Sequence, residues 1–120
     1  MTVANAFTKS DYLNTLEWLI TFFPSAFSKK PKEIKPLKIG ILEEIYRFYD
    51  SLKNPEFSKQ EIKQAIQHYS ASAPYLTCQT ENQIRIDLFG QAVDVVNKEQ
   101  AQYAYERLQQ KLARKNQAAE

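Results

Sequence analysis

Lysines are the residues in this sequence best suited to bind an anion. Residues 29–38 contain five lysines and one glutamate, which gives a local charge of +4. Residues 35–41, Lys-Pro-Leu-Lys-Ile-Gly-Ile, join this loop to a strongly apolar helical repeat. Pro36 lacks a backbone donor and biases Lys35 toward an extended conformation. Because the first N–H groups of a helix lack intrahelical partners, lysines brought to that point predict an anion site. A solubilising loop fits this stretch equally well.

Side chains that could support catalysis are scarce. His68 is the only histidine and neighbours an apolar position, where a surface or structural role is more common than catalysis. Glu43 and Glu44 are adjacent, and adjacent helix positions point in different directions, which argues against an acid–base pair. The sequence has no phosphate-binding glycine loop and no histidine–cysteine cluster. We therefore expect no enzyme, no cofactor and no metal site.

Three further features favour a polyanionic partner. Lys59 and Lys63 recur at i and i+4 in a helix that Ser58 opens with a capping box. Arg85 is predicted to be exposed on a strand, and Tyr75 is predicted to lie just past a helix end, where its ring can stack on a base. Each feature also has a structural explanation: a lysine stripe can be a solvated face, Tyr75 can fill the core, and Arg85 can pair across a hairpin.

Length and composition fit one globular domain. The chain has 120 residues, of which 43% are hydrophobic and 25% charged, and its two glycines favour helices over a turn-rich β architecture. The net charge of +2 is unevenly distributed, since residues 29–38 carry +4, residues 107–120 carry +3 and residues 39–106 carry −4. An asymmetric field of this kind suits a polyanion.

The number of cysteines and the first residues of the chain indicate the cellular compartment. The single Cys78 excludes an internal disulfide and a cysteine-rich metal site. The first residues lack the basic and apolar regions of a signal peptide. The apolar run at residues 16–23 is too short to span a bilayer. We expect a cytoplasmic protein, and because nothing in the pattern demands a dimer, we expect a monomer.

Apolar periodicity predicts four helices. Their expected starts and stops are Ser10 to Pro24, residue 41 to Asn54-Pro55, Ser58 to Pro74, and Asn97 to the polar end of the chain. Ile39 and Ile41 are expected to anchor residues 35–41 to the core. The last helix is expected to bury Ala101, Ala104, Tyr105, Leu108 and Leu112.

A β-hairpin is predicted between the third and fourth helices. Residues 84–88 alternate in the manner of a half-buried strand, with the three apolar residues facing the core and Arg85 facing away. Gly90 follows at a tight turn, where glycine accepts a positive φ. Residues 91–96 are the predicted return strand, in which Asp94 is the candidate partner of Arg85.

The order of elements predicts a small, mainly helical α+β domain with about four helices and one β-hairpin. Residues 1–9 are expected to be a flexible N-terminus, residues 10–112 the domain, and residues 113–120 a short polar and basic tail. Within the lysine loop, Lys29, Lys30 and Lys32 are expected to supply general attraction without a defined contact.

Several short motifs keep their order and spacing over residues 10–110. They are Phe23-Pro24-Ser25-Ala26-Phe27, Lys35-Pro36-Leu37-Lys38-Ile39-Gly40-Ile41, Ala65-Ile66 with Tyr69, Tyr75-Leu76, Arg85-Ile86-Asp87-Leu88 with Gly90, and residues 99–108. In this order they resemble the ProQ/FinO family of bacterial RNA chaperones. The most specific part of the resemblance is Pro-Leu-Lys-Ile-Gly-Ile followed by Arg-Ile-Asp-Leu.

The resemblance implies an RNA-binding domain that recognises the 3′ end of a structured RNA, typically a terminator hairpin with a single-stranded tail. In the family, a concave pocket takes the terminal nucleotides and a helix N-terminus contacts the duplex backbone. Carried over by motif position, with Lys35 added from the basic loop, the implied RNA-binding residues are Lys35, Lys38, Gly40, Ser58, Lys59, Lys63, Tyr75 and Arg85.

The chain departs from the family pattern in a few places. Gln67 and Pro74 stand where many relatives have arginine, and Phe89 occupies a hairpin position that is often polar. The function predicted on these grounds is an RNA chaperone that binds small RNAs and mRNA 3′ ends in post-transcriptional regulation. The alternative is a protein-interaction module that does not bind RNA directly.

Overall fold

The computed structural model describes residues 7–119. In chain order its elements are α1 (Lys9–Phe22), a 3-10 turn (Pro31–Glu33), α2 (Ile41–Asp50), α3 (Lys59–Ala71), α4 (Ala73–Cys78), β1 (Ile84–Ile86), β2 (Ala92–Val95) and α5 (Lys98–Ala119). Helices with one antiparallel strand pair confirm the predicted α+β class. Residues 1–6 of the predicted flexible N-terminus, and Glu120, lie outside the described residues.

Capping boxes begin α1 and α3. Thr8 and Asp11 cap α1 reciprocally, with the Thr8 N–H donating to the carboxylate and the Asp11 N–H donating to the hydroxyl, both at 3.0 Å. The prediction that Ser10 caps this helix is therefore wrong, because Thr8 has the acidic residue three positions later that the box requires. The predicted box of Ser58 and Glu61 is present at the start of α3.

The α4 helix was not predicted. Pro74 lies in its first turn, where the missing N–H has no intrahelical partner to lose. Ser72 caps it by accepting the Tyr75 N–H at 3.4 Å, while its own hydroxyl donates to the Tyr69 carbonyl at 2.7 Å. Pro74 therefore begins a helix and does not simply end one. Tyr75 lies past the end of α3 as predicted, but within the first turn of α4.

The core is organised by α3, which packs against α1, α2 and α4, while α4 also packs against α5. The residues predicted to form its inner face are all buried: Ile62, Ala65, Ile66 and Tyr69. Ile41 is buried, but Ile39 is 64% exposed, so of these two residues only Ile41 anchors residues 35–41 to the core. Tyr105 and Leu112 are also exposed, against the prediction that the last helix buries them.

The β1 strand has neighbours on both sides. It pairs antiparallel with β2, and on its other edge the Lys38 N–H donates to the Ile86 carbonyl at 2.8 Å while the Ile86 N–H donates to the Pro36 carbonyl at 3.0 Å. The register shifts between Arg85 and Ile86, which interrupts simple alternation. Arg85 and Ile86 are consequently both buried while Ile84 is exposed, so the predicted orientations of Ile84 and Arg85 are wrong.

The final helix begins as predicted. Asn97 accepts the Gln100 N–H through its side chain at 2.8 Å, and Gln100 returns the contact by accepting the Asn97 N–H at 2.9 Å. The helix continues to Ala119 without a break at the predicted domain boundary of residue 112. Within the described residues, none of the helices combines the length and hydrophobicity needed to cross a bilayer.

Two glycines adopt positive φ in different surroundings. Gly40 has φ +87° at the N-cap of α2, and nothing lies within 4 Å of the position its Cβ would occupy. Gly90 has φ +80° in the hairpin turn, where an added Cβ would lie 2.9 Å from the Ser25 Cβ. The turn after β1 is thus packed directly against Ser25.

Replacing each of these glycines by alanine tests that packing. Both variants force alanine into the left-handed region, at roughly 1–2 kcal/mol. Only Gly90→Ala also drives a methyl group into Ser25, an overlap that costs about 1–3 kcal/mol more. We expect G90A to lose more unfolding free energy than G40A, measured by urea denaturation with an unchanged m value. Equal losses would contradict the packing of the turn against Ser25.

Candidate nucleic-acid interface

The candidate site is built around the backbone of Leu37. Its N–H donates to the Tyr75 hydroxyl at 3.0 Å, and its carbonyl accepts from the Arg85 Nη1 at 2.9 Å. The flanking residues pair with β1, as described above. These contacts fix the end of the lysine loop on the sheet, and they require both Tyr75 and Arg85 to be buried.

Arg85 extends from β1 toward the first turn of α5. Its Nη2 donates to the Gln100 Oε1 at 3.2 Å, the same oxygen that accepts the Asn97 N–H. Asp94 is its Cα partner across the hairpin, but the Asp94 carboxylate accepts the Val95 N–H at 2.7 Å. The ion pair weighed as an alternative for Arg85 is therefore not formed.

The charge of Arg85 has no counter-ion in the part of the chain that the structure describes. The residue is 6% exposed, no carboxylate lies within 4.0 Å of its guanidinium, and its Nε has no hydrogen-bond partner there. A buried charge without a partner is unfavourable, and a guanidinium matches the geometry of carboxylates and phosphates. This arrangement favours an anionic ligand at Arg85.

A cavity of about 400 Å³ opens beside Arg85. Tyr75, Gln100 and Tyr103 line it with Arg85, and Glu99 is also on its wall. Tyr75 is only 8% exposed, and burial raises the pKa of its phenol, which therefore stays neutral. Tyr103 is 65% exposed at the same cavity. The cavity thus combines a buried cation with two aromatic rings.

Lys38 and Gly40 lie one and three residues after Leu37 in the chain. The Lys38 ammonium lies 2.9 Å from the Glu44 carboxylate, and its side chain is 39% exposed. Neither residue lines the Arg85 cavity within the described part of the chain. Lys35 lines a different cavity, of about 830 Å³, so the structure separates it from Tyr75 and Arg85.

The remaining predicted residues lie at the start of α3. The Ser58 hydroxyl is occupied in capping, since it accepts the Glu61 N–H at 3.1 Å. The Lys59 ammonium lies 2.8 Å from Asp50 and over the rings of Tyr46 and Tyr49, at 5.2 and 5.8 Å from their centroids. The hydrogen bond to Asp50 raises the pKa of Lys59, which stays charged.

Lys63 is exposed one turn further along α3. The helix has 13 residues and is therefore about 20 Å long at 1.5 Å per residue. Its start carries the lysines, and its end adjoins α4 with Tyr75. Ser58, Lys59 and Lys63 thus form one group at the start of α3, and Tyr75 with Arg85 forms a second group near its end. The other three predicted residues, Lys35, Lys38 and Gly40, do not line the cavity of the second group in the described chain.

Sequence reasoning missed three parts of the site. Gln100 was not predicted, although its spacing from the Asn97 cap is that of a capping box and is readable from the sequence. Tyr103 was not singled out, and no pattern distinguishes it from other exposed aromatics. The role of the Leu37 backbone depends on contacts 38 and 48 residues away in the chain, which local patterns do not report.

A second tyrosine holds the other end of the lysine loop. The Tyr69 hydroxyl accepts the Ser28 N–H at 3.2 Å, and the rings of Tyr69 and Tyr75 lie 5.8 Å apart. Burial raises the pKa of Tyr69 to about 12. Two neighbouring buried phenols therefore accept backbone N–H groups from the two ends of residues 28–37.

Comparison with known proteins assigns the family. The model described as the ProQ/FINO family matches residues 10–120. This chain belongs to the ProQ/FINO family. The family predicted from the sequence motifs is confirmed.

Individual relatives agree with this assignment of the ProQ/FINO family. An RNA chaperone ProQ from Idiomarina loihiensis is 33% identical over 108 residues, which cover 88% of this chain and 50% of that protein. An RNA chaperone ProQ from Haemophilus ducreyi is 34% identical over 94 residues, which cover 78% of this chain and 50% of that protein. The chain therefore spans about half the length of these curated relatives.

The fold of this ProQ/FINO domain also matches a solved structure. A ProQ homolog from Legionella pneumophila, determined by NMR in solution, is 48% identical and superimposes with a TM-score of 0.75. The match covers 92% of this chain and 89% of the other.

The burial of Tyr69 predicts a loss of stability at high pH. Its phenol titrates near pH 10 when unfolded and near pH 12 when folded, so its contribution is present below about pH 10 and is lost as pH rises toward 12. We expect the unfolding free energy, measured by urea denaturation, to fall by about 1–3 kcal/mol over that interval.

Tyr69→Phe is the matched control for this titration. It removes the phenol, so we expect a shallower fall above about pH 10. The variant should also be less stable near neutral pH by about 1 kcal/mol, because the Ser28 N–H loses its acceptor. An identical pH dependence in the variant and the wild type would contradict the assignment to Tyr69.

Proposed function

We propose that this ProQ/FINO domain binds RNA and acts as an RNA chaperone in the bacterial cytoplasm. The proposal is supported by its relatives, which carry the name RNA chaperone ProQ. The observation that carries it is the buried Arg85 guanidinium, without a counter-ion in the described chain, beside a cavity with aromatic walls. A phosphate supplies the missing negative charge, and a nucleotide supplies a ring to pack against the aromatic side chains.

The preferred ligand is the 3′ end of a structured RNA, such as a terminator hairpin with a single-stranded tail. A cavity of about 400 Å³ lies in the range that holds small ligands, so it accommodates a terminal nucleotide. Arg85 binds the phosphate, and Tyr75 forms the wall against the sugar or base. The open space around Gly40 allows the RNA backbone to approach the main chain closely.

The start of α3 provides the second contact, to the backbone of the hairpin stem. Lys59 and Lys63 bind phosphates there, assisted by the free N–H groups and positive end of the helix. The two groups are separated by about the 20 Å length of α3, so the ligand must be larger than a nucleotide. A-form RNA has a deep, narrow major groove, so recognition depends on shape, phosphates and the RNA end.

The proposed activity requires no cofactor and no metal, and one copy of the domain supplies both groups of residues. Small RNAs and mRNA 3′ ends are the proposed ligands, because both combine a stem with an unpaired end. Binding of this kind alters RNA stability or pairing.

Salt dependence separates RNA binding from the alternative of a protein-interaction module. We expect the affinity for a terminator hairpin, measured by fluorescence anisotropy, to fall steeply with salt as counterions are released. Lys63→Gln should weaken binding and lower the salt slope by about one. Lys9→Gln, the same change on the exposed first turn of α1, should leave both unchanged. Absent or salt-insensitive binding would favour the protein-interaction module.

End recognition has its own test with a set of three RNAs. The hairpin is prepared with its 3′ tail, without the tail, and with a 3′ phosphate in place of the hydroxyl. We expect the tailed RNA to bind at least about tenfold more tightly than the tailless one, a difference of roughly 1.4 kcal/mol.

Arg85→Lys tests whether the Arg85 cavity is the site that recognises the RNA 3′ end. Lysine keeps the charge but lacks the planar fork that reaches both Leu37 and Gln100. We expect this variant, once shown by circular dichroism to be folded, to lose the preference for the tailed RNA while it still binds the stem. If wild-type protein binds all three RNAs equally, recognition of the 3′ end is refuted while binding of the stem stands.

A further inference from the structure

Phe89 is presented to solvent from a braced turn. Its side chain is 73% exposed, more than any other large hydrophobic residue in the described part of the chain. The Asp87 Oδ1 accepts the N–H groups of Phe89 and Gln91, both at 2.9 Å, and the Gly90 N–H donates to the Asp87 carbonyl at 3.1 Å. The adjacent Gly90 packs against Ser25. The backbone that carries the ring is therefore held in place, while the ring itself contributes little to the core.

Two lysines share a cavity with Phe89. This cavity of about 450 Å³ is lined by Phe89, Lys32 and Lys35, together with residues 24–28, Glu33 and Gly90. Both lysines are exposed, and neither lies within ion-pair distance of a carboxylate among residues 7–116. Glu33, the acidic residue of the cavity, lies 3.6 Å from the Lys30 ammonium. The cavity therefore carries a net positive field beside an exposed aromatic ring.

This cavity adjoins the larger one described above. The cavity of about 830 Å³ shares Lys32, Lys35 and Gly90 with it, so the two cavities lie side by side and are together called the groove. Thr80 and Asn82 line the larger cavity. Lys35 lies two residues before Leu37, whose peptide group contacts Tyr75 and Arg85.

We propose that Phe89, Lys32 and Lys35 form a second RNA subsite, which takes an unpaired nucleotide outside the hairpin stem. The proposal rests on the RNA-binding function proposed above. Phe89 stacks on the base, and the two lysines bind the phosphates on either side of it. A base inside a duplex has both faces covered by its neighbours, so the ring selects an unpaired one.

The chemistry of the groove favours RNA over a protein partner. One ring between lysines offers far less apolar area than the roughly 800 Å² that each partner contributes to a standard protein interface. An aromatic platform beside a positively charged groove is the usual arrangement for single-stranded nucleic acid, and it tolerates any base because every base has a π-face. In this proposal Lys32 binds a defined phosphate, whereas the sequence had suggested only general electrostatic attraction.

The test compares a minimal hairpin carrying its 3′ tail with the same hairpin extended by unpaired nucleotides, at the 5′ end in one RNA and at the 3′ end in another. We expect the wild-type protein to bind at least one extended RNA more tightly than the minimal one. Phe89→Ala should remove that gain, which is about 5- to 150-fold for one stacked base, and leave the minimal hairpin unaffected. Phe89→Tyr keeps a ring and should retain the gain.

Lysine variants test the phosphate contacts. Lys32→Gln should lower the salt slope for the extended RNA by about one. Lys29→Gln is the matched control, because Lys29 belongs to the same loop but pairs with Glu17 and does not line the groove. If the two substitutions changed the salt slope equally, Lys32 would contribute only general electrostatic attraction, and its assignment to the subsite would be wrong.

A spectroscopic readout does not depend on affinity differences. Phe89→Trp adds a fluorophore to a protein whose other tryptophan, Trp18, is buried. We expect the extended RNA to quench the new fluorescence and the minimal hairpin to leave it unchanged. No gain for either extended RNA, an equal loss for all RNAs in Phe89→Ala, or no quenching would each overturn the subsite. Failure of the wild-type protein to bind any RNA would instead refute the proposed function.

Discussion

The peptide group of Leu37 is held by two buried side chains from distant parts of the sequence, the hydroxyl of Tyr75 and the guanidinium of Arg85. At the other end of the lysine loop, Tyr69 accepts the Ser28 N–H. The loop between these points contains four lysines that repel one another, so local interactions do not favour a fixed path. The neutral phenols and the strand-like pairing with β1 provide the order that the loop itself lacks.

Because of this arrangement, Arg85 and Tyr75 contribute to folding and to the proposed site at once. Removing either one leaves a backbone group of Leu37 without its partner, which costs stability as well as any contact with RNA. Lys63 and Phe89 are different, because their side chains are exposed and hold no other part of the fold. Their substitutions therefore report on RNA contacts with little change in the fold.

Local patterns predicted the α3 capping box, its buried face and the Gly90 turn, because these depend on residues within a few positions of each other. The burial of Arg85 was not predictable in this way. Alternation assumes that one face of a strand meets water, whereas α5 and the register shift cover both sides of the chain at this point. Pro74 is similar, since proline is compatible with the end of one helix and the first turn of the next.

The setting of Lys59 has a consequence for the cost of binding. Its ammonium already lies between the Asp50 carboxylate and the rings of Tyr46 and Tyr49. A free lysine side chain has about 2 kcal/mol of rotamer entropy to lose when it becomes ordered. At Lys59 part of that loss occurs during folding, so under the proposed function a phosphate meets a cation whose position is already restricted. In that proposal the phosphate takes the place of the Asp50 carboxylate beside Lys59.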